Sequence, residues 1–458
     1  MKLSKAHFHA VVHSIPELRF EDQRLTSFAG SVVLQRLFQK LGLAARLKEC
    51  FAHRSEGLVV GFSSIALILI VHLMLGYRRL REVERYRDDP VVGRTLGLKR
   101  MPHVSTISRT LSRMDRGSVE NVRALSREIV LARLQMEKLS RVTMDFDGSV
   151  ISTSRYAEGT AVGYNTHKKG ERSYYPLFCT IAQTAQVLDV LHRRGNVHDS
   201  HDSLAFISAC IAQLRTHLPG AILESRKDSA FFNDKTVELL DSQRVQFSIS
   251  VPFERFSELR TLIESHHHWK RLDGEWDYFE SNWTPKCWKN RCRFLFLRHR
   301  VKKQRKEPVQ LELFVPQEQG YEFKVIATNK RGKAKSILLF HNGRGAQENI
   351  FSELKSQCNM SYVPTRHQSG NQLYYQSAVI AHNLYRELQM ISRDTVRGTS
   401  LQRGPLWIFE EAATVRHKII QRAGRLTRPH GRLRLTLSGN EATRRDFLHY
   451  MDSLARAG

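Results

Sequence analysis

Three acidic residues stand where carboxylates could bind divalent metal ions. Asp147 ends the apolar stretch in VTMDFDGS, and Asp228 ends the apolar stretch in AILESRKDSAFF. Glu348 lies in HNGRGAQENIFSELK, where a helical period of about 100° per residue aligns it with Arg344 and Lys355. Two divalent ions held by such carboxylates can neutralise a phosphodiester, activate water or a 3′-hydroxyl, and stabilise the leaving oxygen. The pattern therefore predicts metal-dependent phosphodiester chemistry.

Each acid also has an ordinary structural interpretation. Asp147 could be a turn residue before glycine, Asp228 a helix N-cap, and Glu348 half of a surface ion pair with Arg344. Asp145 is an alternative first carboxylate, because the two-residue period of a strand puts it on the same face as Asp147. All three acids occupy the expected points of one order of strands, and this coincidence favours a joint catalytic role.

The net charge indicates a polyanionic partner. The chain has 72 Lys and Arg against 45 Asp and Glu, a formal charge of +27 at pH 7. Ten Lys or Arg residues and no acid lie between 285 and 306, and seven and no acid lie between 416 and 434. Such an excess attracts nucleic acid and makes its binding salt dependent. Six scattered cysteines and the lack of a signal sequence favour a reducing compartment.

Residues 1–140 are predicted to be helical, since apolar residues recur there at three- and four-residue spacing. The stretch LVVGFSSIALILIVHLML, residues 58–75, is nearly long enough to span a bilayer. Two serines and a histidine interrupt it and RRLRE follows at once. A buried helix is therefore expected, with a membrane anchor as the alternative.

A candidate DNA-reading helix follows Pro102. Ser105 is expected to cap this helix, and Arg109 and Arg113 to lie on its polar face. Its apolar stripe consists of Ile107, Leu111 and Met114. This pattern is typical of the second helix of a helix-turn-helix, although an ordinary basic surface helix fits equally well.

The remaining chain predicts an α/β protein. Residues 141–255 contain three strands, a helix, a strand, a helix and a strand, an order that matches the first part of a ribonuclease-H-like core. Residues 256–340 predict a basic β-rich insertion with four of the five tryptophans, of which Trp288 is a candidate for stacking on a DNA base. Residues 341–390 return to helix as the second part of the core, and 391–458 form a basic C-terminal segment.

A more specific resemblance follows from the spacing around Glu348. His341, Arg344, Glu348 and Lys355 fit the Y-x2-R-x3-E-x6-K signature of a large clan of bacterial insertion-sequence transposases with an Asp-Asp-Glu site, with histidine in place of tyrosine. The blocks MDFDGS, GYNTHKKGERSYYPLF, RRGNVHDS and RKDSAFF resemble the insertion-sequence family numbered 1380. The resemblance covers roughly residues 60–390.

This resemblance implies an active DNA transposase. Asp147, Asp228 and Glu348 would hold two Mg²⁺ ions, or Mn²⁺, while Arg344 and Lys355 contact the DNA backbone. His341 would occupy the tyrosine position of the signature and be a third contact to DNA. The enzyme would bind the terminal inverted repeats, cleave there and join the 3′-hydroxyl to target DNA.

The implied partner is double-stranded DNA, both transposon ends and target, bound by a homodimer on paired ends. The implied location is the bacterial cytoplasm, in association with the nucleoid and without a membrane. Alternatives from other classes are a catalytically silent DNA-binding derivative and a membrane-associated protein. Within the enzyme class, the alternative is a ribonuclease-H-like nuclease or junction resolvase.

Overall fold

A computed structural model describes a mixed α/β protein. The described residues are 16–54, 60–163, 165, 168–197, 202–252, 255–286, 288–300, 320–396 and 404–456. The strand-like run VQLELF and part of the basic run between 285 and 306 lie outside them.

Helices dominate the chain before residue 140. After a two-residue strand, β1 (Leu25–Thr26), they are α1 (Ser31–Lys40), α2 (Leu43–Cys50), α3 (Phe62–Met74), α4 (Pro90–Thr95), α5 (Val104–Ser112) and α6 (Arg116–Met136). The predicted buried helix is confirmed, because nearly every side chain of α3 is buried. His72 inside it lies 2.9 Å from the Tyr86 hydroxyl, and burial lowers the pKa of His72 to about 4. Among the described helices none has the length and apolar character needed to cross a bilayer.

Helix α5 has the two faces expected from its sequence. The buried apolar stripe is Ile107, Leu111 and Met114. Arg109 and Arg113 are exposed on the other side. The N-cap is His103 and not Ser105 as predicted, because the His103 ring nitrogen accepts the backbone N–H of Ser105 at 3.3 Å. A role in DNA reading stays a prediction.

A mixed sheet forms the centre of the molecule. The strands after α6 are β2 (Arg141–Gly148), β3 (Ile151–Thr153), β4 (Ala161–Val162), β5 (Arg172–Tyr174), β6 (Leu177–Ile181), β7 (Gln186–Leu191), β8 (Ile222–Lys227), β9 (Gln246–Ser250), β10 (Lys270–Arg271), β11 (Trp276–Ser281), β12 (Arg293–Arg300) and β13 (Tyr321–Thr328). Nine of them form one sheet in the order β10-β11-β12-β13-β9-β8-β2-β6-β7, and β3, β5 and β4 form a small separate sheet. Strand β2 is parallel to β8, and β8 to β9, whereas the other pairs are antiparallel.

Helices cover the faces of this sheet. They are α7 (Ser203–His217), α8 (Asp234–Ser242), α9 (Ser257–Ser265), α10 (Ala334–Asn342), α11 (Ala346–Ser356) and α12 (Gln368–Ser392). The predicted succession from β2 through β6, β7, α7, β8 and α8 to β9 is confirmed. Helix α12 also packs against α3 and α6, and so joins the N-terminal helices to the sheet.

The β-rich segment 256–340 does not form a sheet of its own. Strand β13 pairs with β9, so the strands described in this segment, β10 to β13, continue the central sheet. Pairing covers the backbone groups that β9 would otherwise expose at an edge. Phe294 and Phe296 of β12 belong to the same apolar core as β2 and β8. Helix α10 begins at Ala334, within the segment predicted as insertion.

The C-terminal segment folds back onto the N-terminal helices. Its elements are α13 (Ala412–Val415), β14 (Gly424–Thr427), β15 (Arg434–Leu437) and α14 (Glu441–Arg456). Strand β14 pairs with both β1 and β15. Helix α14 packs against α1 and α12. Much of the basic C-terminal segment is therefore part of the folded body.

Candidate active site

Strands β2 and β8 end side by side. Their parallel register pairs Phe146 with Lys227, so the next positions along both strands are Asp147 and Asp228. Neighbouring strands lie about 4.8 Å apart, and residues paired in a parallel register point to the same face. Two of the three predicted carboxylates, Asp147 and Asp228, therefore meet where these two internal strands of the central sheet end. We call this place the carboxylate edge.

The Asp147 carboxylate lies between a backbone amide and an arginine. It accepts the backbone N–H of Gly148 at 2.8 Å and Nη1 of Arg344 at 3.0 Å. Asp228 accepts the backbone N–H of Ala230 at 3.1 Å, at the start of a 3₁₀ turn. The ordinary capping role of Asp228 is thus also realised. Both aspartates remain partly exposed.

Helix α11 covers the face of the sheet on which Asp147 lies. Its buried Gln347 donates from Nε2 to the Asp145 carbonyl oxygen at 3.0 Å. Its Phe351 ring lies 5.1 Å from the ring of Phe178, the residue paired with Asp147 on β6. These contacts place the first turn of α11 beside the carboxylate edge.

Glu348 lies in that first turn and is exposed. Arg344 belongs to the preceding 3₁₀ turn, Gly343–Gly345, and its side chain reaches Asp147. The expected surface pair between Arg344 and Glu348 is not formed. In the described part of the chain, no hydrogen bond or ion pair engages the Glu348 carboxylate.

Lys355 lies two turns further along α11 and is half-buried. Burial lowers the pKa of Lys355, and the negative charge of Asp147 partly opposes this effect. Glu353, by contrast, is buried on another side of the helix, where it contacts Arg386 and accepts the Ala412 N–H at 3.1 Å. Glu353 therefore lies away from the side of the helix that carries Glu348.

Asp145 shares the strand face with Asp147, but its carboxylate is buried and accepts hydrogen bonds from Arg226. Arg226 donates to its two oxygens at 2.6 and 2.5 Å, and both side chains are almost fully buried. Burial raises the pKa of Asp145, and the charge of Arg226 opposes that rise. Arg226 also donates to the Phe340 carbonyl oxygen at 3.2 Å. This arrangement assigns Asp145 a structural role.

His341, which the resemblance implies as a DNA contact, is 2% exposed in this structure, and that contact stays a prediction. The hydroxyls of Ser248 and Ser250 on β9 lie 3.0 and 2.9 Å from its two ring nitrogens. Burial holds the pKa of His341 well below its usual value, so the ring is neutral. These contacts connect α10 to strand β9 of the central sheet.

The donor chemistry of the edge fits a hard divalent cation, which prefers carboxylate oxygens. Over the ranges that the structure describes, however, no group of three or more His, Cys, Asp or Glu side chains is arranged to hold a metal ion. Asp147 and Asp228 supply two carboxylates at the strand ends. The guanidinium of Arg344 contacts the first of them, and Glu348 stands on the adjoining helix.

The sequence matches the family described as "Transposase DDE domain group 1" over residues 8–458. The chain belongs to this family. It is accordingly a DNA transposase, an enzyme that cleaves and transfers DNA, and transposases of this kind generally use divalent metal ions. No curated protein sequence matches it significantly.

Two solved transposase structures are similar to the chain only at a distance. The piggyBac transposase synaptic complex with hairpin DNA has a TM-score of 0.39 at 11% identity, covering 78% of this chain and 74% of that chain. The Mos1 transposase paired-end complex with left transposon end has a TM-score of 0.17 at 11% identity, covering 37% of this chain and 57% of that chain. Similarities of this size carry no argument about individual residues.

Trp288 of the transposase is half-buried, and its ring lies 4.4 Å from that of Phe232. Phe232 follows the 3₁₀ turn that Asp228 caps. Most tryptophans of this region also contact other aromatic rings, so packing accounts for much of their role. Through its contact with Phe232, Trp288 nevertheless lies near the end of β8.

Sequence reasoning missed several residues beside the carboxylates. Lys227 is fully buried, donates to Ser225 Oγ at 2.6 Å and has its ammonium 3.8 Å from the centre of the Phe146 ring. Burial lowers the pKa of Lys227 to about 7. Gln347 and Arg226 both contact Asp145 of β2, the first at its carbonyl oxygen and the second at its carboxylate. The only sequence signal was the run of cations before Asp228 in SRKD, which also suits an exposed strand end.

Proposed function

We propose that the transposase binds the terminal inverted repeats of an insertion sequence and catalyses Mg²⁺-dependent strand cleavage and strand transfer. Asp147, Asp228 and Glu348 would be the ligands of two Mg²⁺ ions, with Mn²⁺ as a substitute. The observation that carries this proposal is the parallel register that ends β2 and β8 at Asp147 and Asp228. The contact between Asp147 and the turn that begins the Glu348 helix supports the third ligand.

Each residue has a distinct part in this mechanism. When bound, the ions would neutralise the non-bridging oxygens of the scissile phosphate and activate water or a 3′-hydroxyl. Asp147 and Asp228 hold their carboxylates on rigid strand ends, and Glu348 approaches from a helix. Arg344 is placed at the same edge, 3.0 Å from Asp147, where it would bind a phosphate oxygen of the DNA. Lys355 would provide a second phosphate contact.

The order β7-β6-β2-β8-β9 supports assignment of the core to the ribonuclease-H-like class. Three antiparallel strands precede two strands parallel to the first, and a helix connects β7 with β8. The signature around Glu348 supports membership of the wider insertion-sequence clan, and the blocks MDFDGS, GYNTHKKGERSYYPLF, RRGNVHDS and RKDSAFF support the family numbered 1380 within it. A homodimer acting on paired ends and on target DNA is part of the same proposal.

Three exposed or half-exposed residues would contact DNA outside the carboxylate edge. Arg109 and Arg113 lie on the polar face of α5 and would contact a groove of the DNA. Trp288 would stack on a displaced base, since an aromatic face accepts any base. The exposed Lys289 beside it adds a cation for the adjacent phosphate.

The replacement of Glu348 by glutamine tests the catalytic proposal. We expect Glu348→Gln to abolish Mg²⁺-dependent cleavage of a duplex carrying the element end, while binding measured in EDTA stays close to wild type. Removal of one metal-holding carboxylate leaves the basic contacts to DNA intact. The matched control is Glu238→Gln, another exposed glutamate on a helix, which should cleave normally.

Full strand transfer by Glu348→Gln would reject the assignment of Glu348. A wild-type protein that binds the end duplex but cleaves nothing in Mg²⁺ or Mn²⁺ would favour the catalytically silent derivative. Cleavage of unrelated duplexes without strand transfer would favour the nuclease.

A further inference from the structure

A groove of about 850 Å³ lies between the N-terminal helices and the small sheet that follows β2. Ser108 and Ser112 of α5, together with Lys168 and Glu171, line part of it, and the rest of the lining comes from three segments that are distant in sequence. They are the turn 78–81 after α3, the segment 152–156 that contains the end of β3, and the segment 361–367 between α11 and α12. The groove therefore exists only in the folded chain.

The groove is strongly and unusually basic. Its exposed arginines are Arg78, Arg79, Arg81, Arg155 and Arg366. No ion pair involves any of these five guanidinium groups in the portion of the chain that the structure describes. The only carboxylate in the lining, Glu171, lies 3.5 Å from Lys168. Arg123, by contrast, is neutralised by Asp189 and Glu120.

Contacts with one another and with neighbouring elements hold these arginine-bearing segments in place. The Arg78 carbonyl oxygen accepts the Tyr374 hydroxyl at 2.9 Å, and the Arg78 guanidinium lies 5.8 Å from the centre of the Tyr362 ring. The Arg366 carbonyl oxygen accepts the Glu158 backbone N–H at 2.8 Å. An unneutralised cluster of arginines repels itself, so its retention on a rigid frame indicates that an external anion balances the charge.

The groove begins next to the carboxylate edge. Strand β3 starts at Ile151, four residues after Asp147, and four residues span at most about 14 Å of extended chain. On the other wall, the Ser361 hydroxyl donates to the Lys355 carbonyl oxygen at 3.0 Å. A molecule lying in the groove would thus be continuous with one at Asp147 and Lys355.

We propose that this groove binds the sugar-phosphate backbone of the DNA duplex whose end is held at the carboxylate edge. The inference rests on the proposed function and adds a binding surface distinct from Arg344 and Lys355. Serine and threonine hydroxyls alternate with the arginines along the lining, a mixture typical of contacts to phosphate and sugar. Such contacts fix the position of the duplex and carry no sequence information.

The test removes one arginine from each segment. The variant Arg79→Gln/Arg155→Gln/Arg366→Gln is titrated with an end-containing duplex in EDTA at several salt concentrations. Each lost phosphate contact lowers the slope of log K against log salt by about 0.9, so we expect a slope shallower by about 2 to 3. An unrelated duplex should show the same reduction. All three side chains are exposed, so the thermal midpoint should stay close to wild type.

The matched control is Arg36→Gln/Lys48→Gln/Lys235→Gln, which removes three exposed cations outside the groove that form no ion pair with any described residue. Equal slopes for the two triple variants would overturn the proposal. A reduction confined to the end-containing duplex would also overturn it, since that result indicates base reading. The titration contains no divalent ion, so its outcome is independent of whether Glu348→Gln abolishes cleavage.

Discussion

Exchanging Asp145 or Asp147 for asparagine should separate folding from catalysis at one strand. The two aspartates are two residues apart on β2 and share a face. Asp145 binds the buried Arg226, whereas Asp147 is partly exposed at the end of the strand. We expect Asp145→Asn to lose stability, and Asp147→Asn to lose cleavage with little loss of stability.

The magnitudes follow from burial. Removing one partner of a buried ion pair costs about 3 to 5 kcal/mol, because the other charge is left without compensation. The contact of Arg226 with the Phe340 carbonyl oxygen is to a neutral acceptor and does not replace the lost negative charge. The side chains of Asp147 and Arg344 are 20% and 23% exposed, and a pair open to water contributes less than about 1 kcal/mol.

The assay combines two measurements on each variant. Equilibrium unfolding in urea, followed by tryptophan fluorescence, gives the change in the free energy of unfolding. Cleavage of the end-containing duplex in Mg²⁺ gives the activity, measured at a temperature where both variants are folded. An Asp145→Asn variant as stable as wild type but unable to cleave, beside an active Asp147→Asn variant, would refute the assignment of Asp147.

Two further predictions concern buried residues of α11 and α10. Burial alone would raise the pKa of Glu353, but His382, Arg386 and the Ala412 N–H outweigh it and hold the pKa at about 2, below the ordinary 4.5. The resulting contribution of about 3 kcal/mol is present above pH 4.5 and is lost as the pH falls through about 2. Urea unfolding between pH 2 and 5 should therefore show a flatter pH dependence for Glu353→Gln than for wild type, and parallel curves would contradict this. His341→Ala should lower the free energy of unfolding by about 1 to 3 kcal/mol, because it leaves Ser248 and Ser250 without their partner. An unchanged unfolding curve with weaker DNA binding would instead support the predicted DNA contact.

Much of the local architecture was predictable from the sequence because helices and strands have fixed periods. Alternation in VTMDFDGS identified β2 and placed Asp147 at its end, and the uninterrupted apolar run identified α3 as a buried helix. The charge of +27 indicated a polyanionic partner without any knowledge of the fold. The spacing from Arg344 to Lys355 singled out the Glu348 segment.

The contacts between distant segments were decided by the tertiary structure alone. Periodicity shows which face a residue occupies but not which segment covers that face, so the sequence offered only a local pair with Glu348 for Arg344, whereas the structure shows a contact with the distant Asp147. The burial of His341 depends on β9, about 90 residues earlier in the chain. The pairing of β13 with β9, which continues the central sheet, is likewise a contact between distant segments. The arginines of the groove come from three separate segments, so their proximity left no pattern in the sequence.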